Sequence, residues 1–307
     1  MRVKPADLPE SQLVAPPADT PETLEPATEA DGIRTYREVV YANEIGYRPL
    51  RLDLMVPIRP EPVPVVLWLH GGGFLSGSRR RSELSGPPWD ALLAAGIAVA
   101  VVEYRFSFEE LFPACVHDVK AAVRWLRQYG GDLGLRPDAI GSWGESAGAH
   151  MSLFLALDGQ EKAVEGEVGV TGPSSRISAA VAWYPPTDFL NMDAHSEGAD
   201  SRYPHDAPGS PESLLIGGPV QDNPDLAKAA SPLSYVTSFG PSPMLIMHGT
   251  EDPWVPYRQS AVIAEALEEQ GADVTLNLVN GAGHMFAGVD HGPLIKQAVD
   301  FLAAHFA

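Results

Sequence analysis

Residues 139–157 read AIGSWGESAGAHMSLFLAL. Ala139 to Trp143 is a short apolar run of strand type. Ala147 to Leu157 is rich in Ala and Leu, which favour helix. Between them lies Gly144-Glu145-Ser146-Ala147-Gly148. A strand that turns sharply into a helix forces Ser146 into an unfavourable backbone conformation and lifts its hydroxyl off the sheet. Gly144 and Gly148 remove side chains that would collide across the turn. The helix N-terminus then aims free amides and partial positive charge at the same point. Alone, the run also fits an ordinary Gly/Ser turn, so its surroundings decide.

Outward from this turn, apolar strands alternate with helical patterns. Val63 to Leu69, Ile97 to Val102, Ile177 to Trp183, Pro243 to Met247 and Val274 to Val279 are near-continuous apolar runs. Such runs suit parallel strands covered on both faces. Thr35 to Ala42 and Leu50 to Val56 alternate instead, which predicts an antiparallel pair at a sheet edge. Helices are predicted over about 82–95, 113–128, 147–157, 257–269 and 292–305. The expected fold is α/β: a mostly parallel, twisted sheet of about eight strands flanked by helices. Residues 1–31 hold six prolines and few large apolar side chains, and are expected to form an extended or partly disordered arm. The arm has the option of folding over the site's mouth. Residues 32–307 form the main domain. Within it, 185–232 is rich in Pro, Gly, Asp and Ser and is expected to be a small cap or lid.

Three further features carry chemistry. His70-Gly71-Gly72-Gly73 follows the strand ending at Leu69. It lacks the spacing and the Lys of a phosphate loop. Glycines here let backbone amides approach a substrate oxygen, so the amides of Gly72, Gly73 and Ala147 are assigned as an oxyanion hole. His70 is expected to pin the loop. Nine histidines compete as base. His284 is chosen because it lies just past the strand ending at Val279, where a loop reaches the carboxyl-end site. Asp252 follows the strand ending at Met247, and Glu251 and Asp188 are its rivals. The chain order Ser146, Asp252, His284 is the one expected for a nucleophile, acid and base on this fold.

Together these residues resemble the α/β-hydrolase superfamily from about Val63 onward. His70 to Phe74 and Gly144 to Gly148 are similar to hormone-sensitive-lipase-type esterases. Ser231 to Val236 and the run from Met244 through Asp252 to His284 look closer to bacterial feruloyl-esterase-like carboxylesterases. Many relatives carry Trp after the three glycines; this chain has Phe74. Arg105 and Asp118 resemble a family pair that braces the sheet. The resemblance implies a carboxylic ester hydrolase acting on small or aryl esters through an acyl-enzyme. An amidase such as an arylformamidase is the alternative, and a non-catalytic binding module is a third reading. By proximity to the catalytic loops, Phe74, Leu75, Tyr184, Trp254, Val255, Met285 and Phe286 are expected to wall the pocket.

The net charge of −19 repels nucleic acid and anionic membrane, so neither is expected as partner. The expected partner is a small-molecule ester, without metal or organic cofactor, and a homodimer is left open. Cys115 is the single cysteine, which excludes an intramolecular disulfide and fits a buried thiol. The first residues show no apolar signal core, so a cytoplasmic protein without membrane insertion is expected.

Overall fold

A computed structural model of the chain describes residues 15–80, 88–157, 162–196, 204–236 and 240–307. Nine strands form one sheet: β1 (Thr28–Ala30), β2 (Ile33–Ala42), β3 (Leu50–Pro57), β4 (Val63–Leu69), β5 (Ala98–Val102), β6 (Leu135–Glu145), β7 (Ala179–Trp183), β8 (Met244–Gly249) and β9 (Val274–Val279). Their order is β1-β2-β3-β5-β4-β6-β7-β8-β9. β1, β2 and β3 run antiparallel to their neighbours, and β3 pairs antiparallel with β5. Every pair from β5 through β4 to β9 is parallel. This is the α/β-hydrolase arrangement, with one strand more than the pattern predicted. That strand is β1, inside the segment expected to be a loose arm.

Residues 15–24 are also held in place. Asp19 donates its amide to the Val40 carbonyl at 2.7 Å, and its carboxylate accepts the Val40 amide at 2.8 Å. The Trp125 indole donates to the Asp19 carbonyl at 2.8 Å. These contacts lie along β2 and the helix bearing Trp125.

Side-chain alternation sorts the strands into two cores. On β4, Val65, Leu67 and Leu69 face one core, while Val66 and Trp68 face the other. Helices α2 (Ala114–Tyr129), α3 (Ala147–Leu157) and α8 (Arg258–Glu269) cover the first face. α1 (Trp89–Ala94) and α9 (Gly292–His305) cover the second. Trp68, Trp143 and Trp183 form a row across β4, β6 and β7 there, with ring centroids 5.9 and 4.9 Å apart. All eleven residues of α3 are buried. A helix apolar on every side belongs in the interior; α3 lies between the sheet, α2 and the insertion. Its start is therefore fixed to within little play.

Among the described residues, the insertion after β7 carries the short helices α5 (Met192–His195), α6 (Pro211–Ile216) and α7 (Pro224–Ala229). The short α4 (Lys162–Glu165) precedes β7. Pro opens α6 and α7, where its missing amide costs nothing. Gln259 of α8 ties the insertion down. Its Oε1 accepts the Thr187 and Asp188 amides, both at 2.7 Å, and its Nε2 donates to the Asp188 carbonyl at 3.0 Å. No helix among the described residues is long and apolar enough to cross a membrane.

Candidate active site

Ser146 sits where β6 ends and α3 begins, with φ at +52°. That left-handed conformation is unfavourable for a side chain and persists only where surroundings impose it. Here the Ser146 amide donates to the Trp183 carbonyl at 2.9 Å, and its carbonyl accepts the His150 amide at 3.1 Å. A Cβ on Gly148 would stand 2.0 Å from the Leu69 carbonyl oxygen, so only glycine lets α3 pack this close to β4. Ala147 opens α3, and its amide is among those a helix leaves without an intrahelical acceptor.

The glycine loop lies beside this turn, because Leu69 of β4 is in register with Gly144 of β6. Gly72 adopts φ +117°, and its carbonyl accepts the Leu75 and Ser76 amides, both at 3.1 Å. Its own peptide is thereby turned back into the loop. The Gly71 amide donates to Glu145 Oε1 at 3.3 Å. His70 is a brace: its Nδ1 lies 2.7 Å from the Gly71 carbonyl, and its ring stacks on Tyr104 at 4.5 Å. Burial pulls its pKa down to about 4, which keeps it neutral. Downstream, Arg79 anchors the loop through Asp53 at 2.6 Å, Glu103 at 3.0 Å and Glu38.

Asp252 is buried at the carboxyl end of β8. Its Oδ1 accepts the Trp254 and Val255 amides at 2.8 and 3.0 Å. Its Oδ2 lies 2.6 Å from His284 Nδ1 and 3.3 Å from His248 Nε2. Burial disfavours its charge, but His248 and His284 outweigh burial and hold the carboxyl well below the usual range. His248 is otherwise bonded to Ser260 and to the Val255 carbonyl. It therefore braces the turn. Of the rival acids, Glu251 is exposed, and Asp188 accepts from Asn191 at 2.7 Å.

One contact set has no signal in the sequence. Glu145 is in register with Trp183, so Tyr184 rises beside it at the end of β7. The Tyr184 hydroxyl donates to Glu145 Oε2 at 3.2 Å, and its ring packs 4.6 Å from the His284 ring. Tyr184 has φ +46°, Met285 +57°, Phe286 +53° and Phe74 +62°. With Ser146, five of the chain's left-handed non-glycine residues gather on these loops. Strain of this kind clusters where geometry is functional.

The expected pocket residues separate on inspection. Tyr184 touches His284, and Leu75 is half-buried beside the glycine loop. Trp254 and Met285 are exposed on the loops carrying Asp252 and His284. Phe74 is buried, with its ring edge on His150 and Phe189 at 5.1 and 6.4 Å. Phe286 needs correction as a pocket wall. It is wholly buried in the α1/α9 core against Trp183, Tyr184 and His291. Val255 is likewise buried, in the other core. Away from the site, Arg105 and Asp118 form a buried pair at 2.7 Å. Burial pushes the Cys115 thiol up to about 12, leaving it unreactive.

A model of the BD-FAE family matches residues 52–267. Esterase LipQ of Mycobacterium tuberculosis is 31% identical over 277 residues, which cover 87% of this chain and 63% of LipQ. A truncated carbohydrate esterase from gut microbiota superposes with a TM-score of 0.77 at 26% identity, covering 94% of this chain and 99% of its own. The thermophilic esterase Est2 of Thermogutta terrifontis superposes with a TM-score of 0.66 at 27% identity, covering 93% and 95%. The chain spans between about half and two thirds of the length of the first curated relatives it matches, at 63%, 54% and 58% of each.

Proposed function

The chain belongs to the BD-FAE family, and from that premise we propose that it is a carboxylic ester hydrolase working through Ser146, His284 and Asp252. The observation that carries the reading is the 2.6 Å contact between His284 Nδ1 and a carboxylate already fixed by two backbone amides. An imidazole so held has its Nδ1 protonated and its Nε2 free as a base.

His284 takes the proton from Ser146 as the serine oxygen attacks the ester carbonyl. The amides of Gly72, Gly73 and Ala147 hold the oxyanion. His284 then gives the proton to the departing alcohol, and water cleaves the acyl-enzyme by the same steps. Asp252 fixes the imidazole tautomer and stabilises the imidazolium. Glu145 and Tyr184 tie the glycine loop to the base: one accepts from Gly71, the other packs on His284. The substrates are small or aryl esters. The likeness to a carbohydrate esterase supports a sugar as the alcohol. Exposed Trp254 and Met285 offer an apolar lip for an aryl group.

Ser146→Ala is expected to lower hydrolysis of p-nitrophenyl acetate by about a million-fold. A fluorophosphonate probe should label the wild type at Ser146 and leave this variant unlabelled. Turnover by Ser146→Ala within tenfold of wild type overturns the assignment.

A further inference from the structure

Beside the glycine loop, two segments present apolar side chains to solvent. The first joins β5 to α2. Its Phe108 is 73% exposed and its Leu111 42%. The backbone there is closed on itself. The Glu109 and Glu110 amides donate to the Phe106 carbonyl at 2.8 and 3.0 Å, and Glu109 Oε2 accepts the Phe106 amide at 2.9 Å. Phe108 therefore stands on a well-bonded turn. The second segment is α6, whose Leu214 is 38% exposed.

Both segments are fastened to the loop assigned to the oxyanion. The Ser107 amide and hydroxyl donate to the Phe74 carbonyl at 2.9 and 3.2 Å. The Phe106 ring lies between His70 and Phe108, with centroids 6.1 and 5.7 Å away. At the start of α6, Pro211 packs on Gly73: a Cβ there would stand 3.3 Å from the Pro211 ring. Past its end, a Cβ at Gly217 would stand 2.8 Å from Leu111, and the Leu215 carbonyl accepts the Phe112 amide at 3.0 Å. Residues three apart share a helix face, so Pro211, Leu214 and the Gly217 position line one side of α6. That side spans about 9 Å of helix between Gly73 and Leu111. Phe108, Leu111 and Leu214, with half-buried Leu75 and Pro211, thus rim the glycine loop. A lone exposed apolar residue needs no explanation; a rim of them on such a loop does.

In acyl transfer the departing alcohol takes its proton from His284. His284 follows β9 and the glycine loop follows β4, with Ser146 after β6 between them. The alcohol therefore leaves toward β8 and β9, where Trp254 and Met285 stand exposed. The acyl group is turned the other way, toward β4 and β5. We propose that the rim is the acyl subsite and takes an uncharged, apolar acyl group longer than acetyl. Exposed Glu110, next to Leu111, disfavours an acyl chain that ends in a carboxylate. This rests on the ester-hydrolase reading and adds the residues that select the acyl half.

The test compares p-nitrophenyl hexanoate with p-nitrophenyl acetate, which share one leaving group. Each methylene covered is worth up to about fourfold, so wild-type kcat/KM should favour hexanoate by at least about tenfold. Phe108→Ser and Leu214→Ser should each lower that ratio by about threefold, and the double variant by about tenfold. Phe108→Leu, which stays apolar, should hold most of it. Both positions are exposed, so the changes cost little stability, and fluorophosphonate labelling of Ser146 identifies variants with an intact site. Trp254→Ser, on the alcohol side, should move both esters alike. A labelled double variant within twofold of the wild-type ratio overturns the proposal, whether or not its oligomeric state has changed. If the double variant does not label, the single variants decide by the same criterion. A wild-type ratio below one also overturns it, as does a Trp254→Ser ratio as low as the double variant's. If the wild type hydrolyses neither ester, the ester-hydrolase reading fails and takes this one with it. Turnover of the acetate with an unmoved ratio sinks the subsite alone.

Discussion

The loop around Asp252 and the insertion around His205 are both buried and both polar, yet they close their hydrogen bonds differently. Asp252 spends one oxygen on two amides and the other on two imidazoles. The His205–Glu212 pair is joined by one 3.3 Å contact, and His205 Nε2 is buried without a hydrogen-bond partner. A closed network holds one geometry whatever is bound, which suits a group that must present the same base in every turnover. On the proposed reading the closed network is the one that carries the reaction.

The contrast can be broken at either end. The largest effect belongs to the closed network. Asp252→Asn retains an oxygen for the Trp254 and Val255 amides but turns an amide toward His284, favouring the wrong tautomer. A fall in kcat of about 10⁴-fold with an unchanged circular-dichroism spectrum is expected. A loss under tenfold would remove Asp252 from the acid's role. The next effect belongs to the anchor of the insertion. Gln259→Leu leaves the Thr187 and Asp188 amides and the Asp188 carbonyl without their side-chain partner, so urea unfolding should show a loss of about 3–4 kcal/mol. A variant as stable as wild type would show that the insertion is held elsewhere.

A third effect sharpens the comparison through pH. His70 and His150 are pulled down to about 4, above all by burial. Both brace the nucleophile side and stay neutral when folded. The unfolded chain binds protons near pH 6.5 and the folded chain only near 4. Stability is therefore whole above about 6.5 and falls as pH drops to 4, by about 3 kcal/mol for each histidine at full protonation. His205 has the opposite sign. Its raised pKa adds stability below about pH 6.5, lost as pH rises through the folded value. Urea midpoints should fall from pH 7 to pH 5 less steeply in His150→Phe than in wild type. Equal slopes would mean that His150 is not the titrating group.

The parts read most readily in the sequence are those written contiguously. The Ser146 turn and the bounds of α3 follow from an apolar run, two glycines and a helix former's run, all local. The pairing of Asp252 with His284 was within reach of the sequence because each follows an apolar strand at short distance. β1 was not, since Thr28–Ala30 is exposed on every residue and owes its strand form to pairing with Arg34 and its neighbours. The Glu145–Tyr184 contact was hidden because it arises from β6–β7 register. Phe286 was misplaced because alternation says nothing about a left-handed turn. The His205–Glu212 pair lies in a stretch with no period to read, where tertiary packing alone decides which side chains meet.

β9 is the sheet's last strand, paired only with β8, and its residues are half-buried or exposed. Yet the loop it feeds carries His284. A strand paired on one side only opens more readily than strands paired on both, and the rest of the molecule need not follow. Warming should therefore abolish the proposed hydrolysis reversibly before the core melts: hydrogen exchange would register the edge as a separate foldon, and the loss of activity would follow that foldon and not the core.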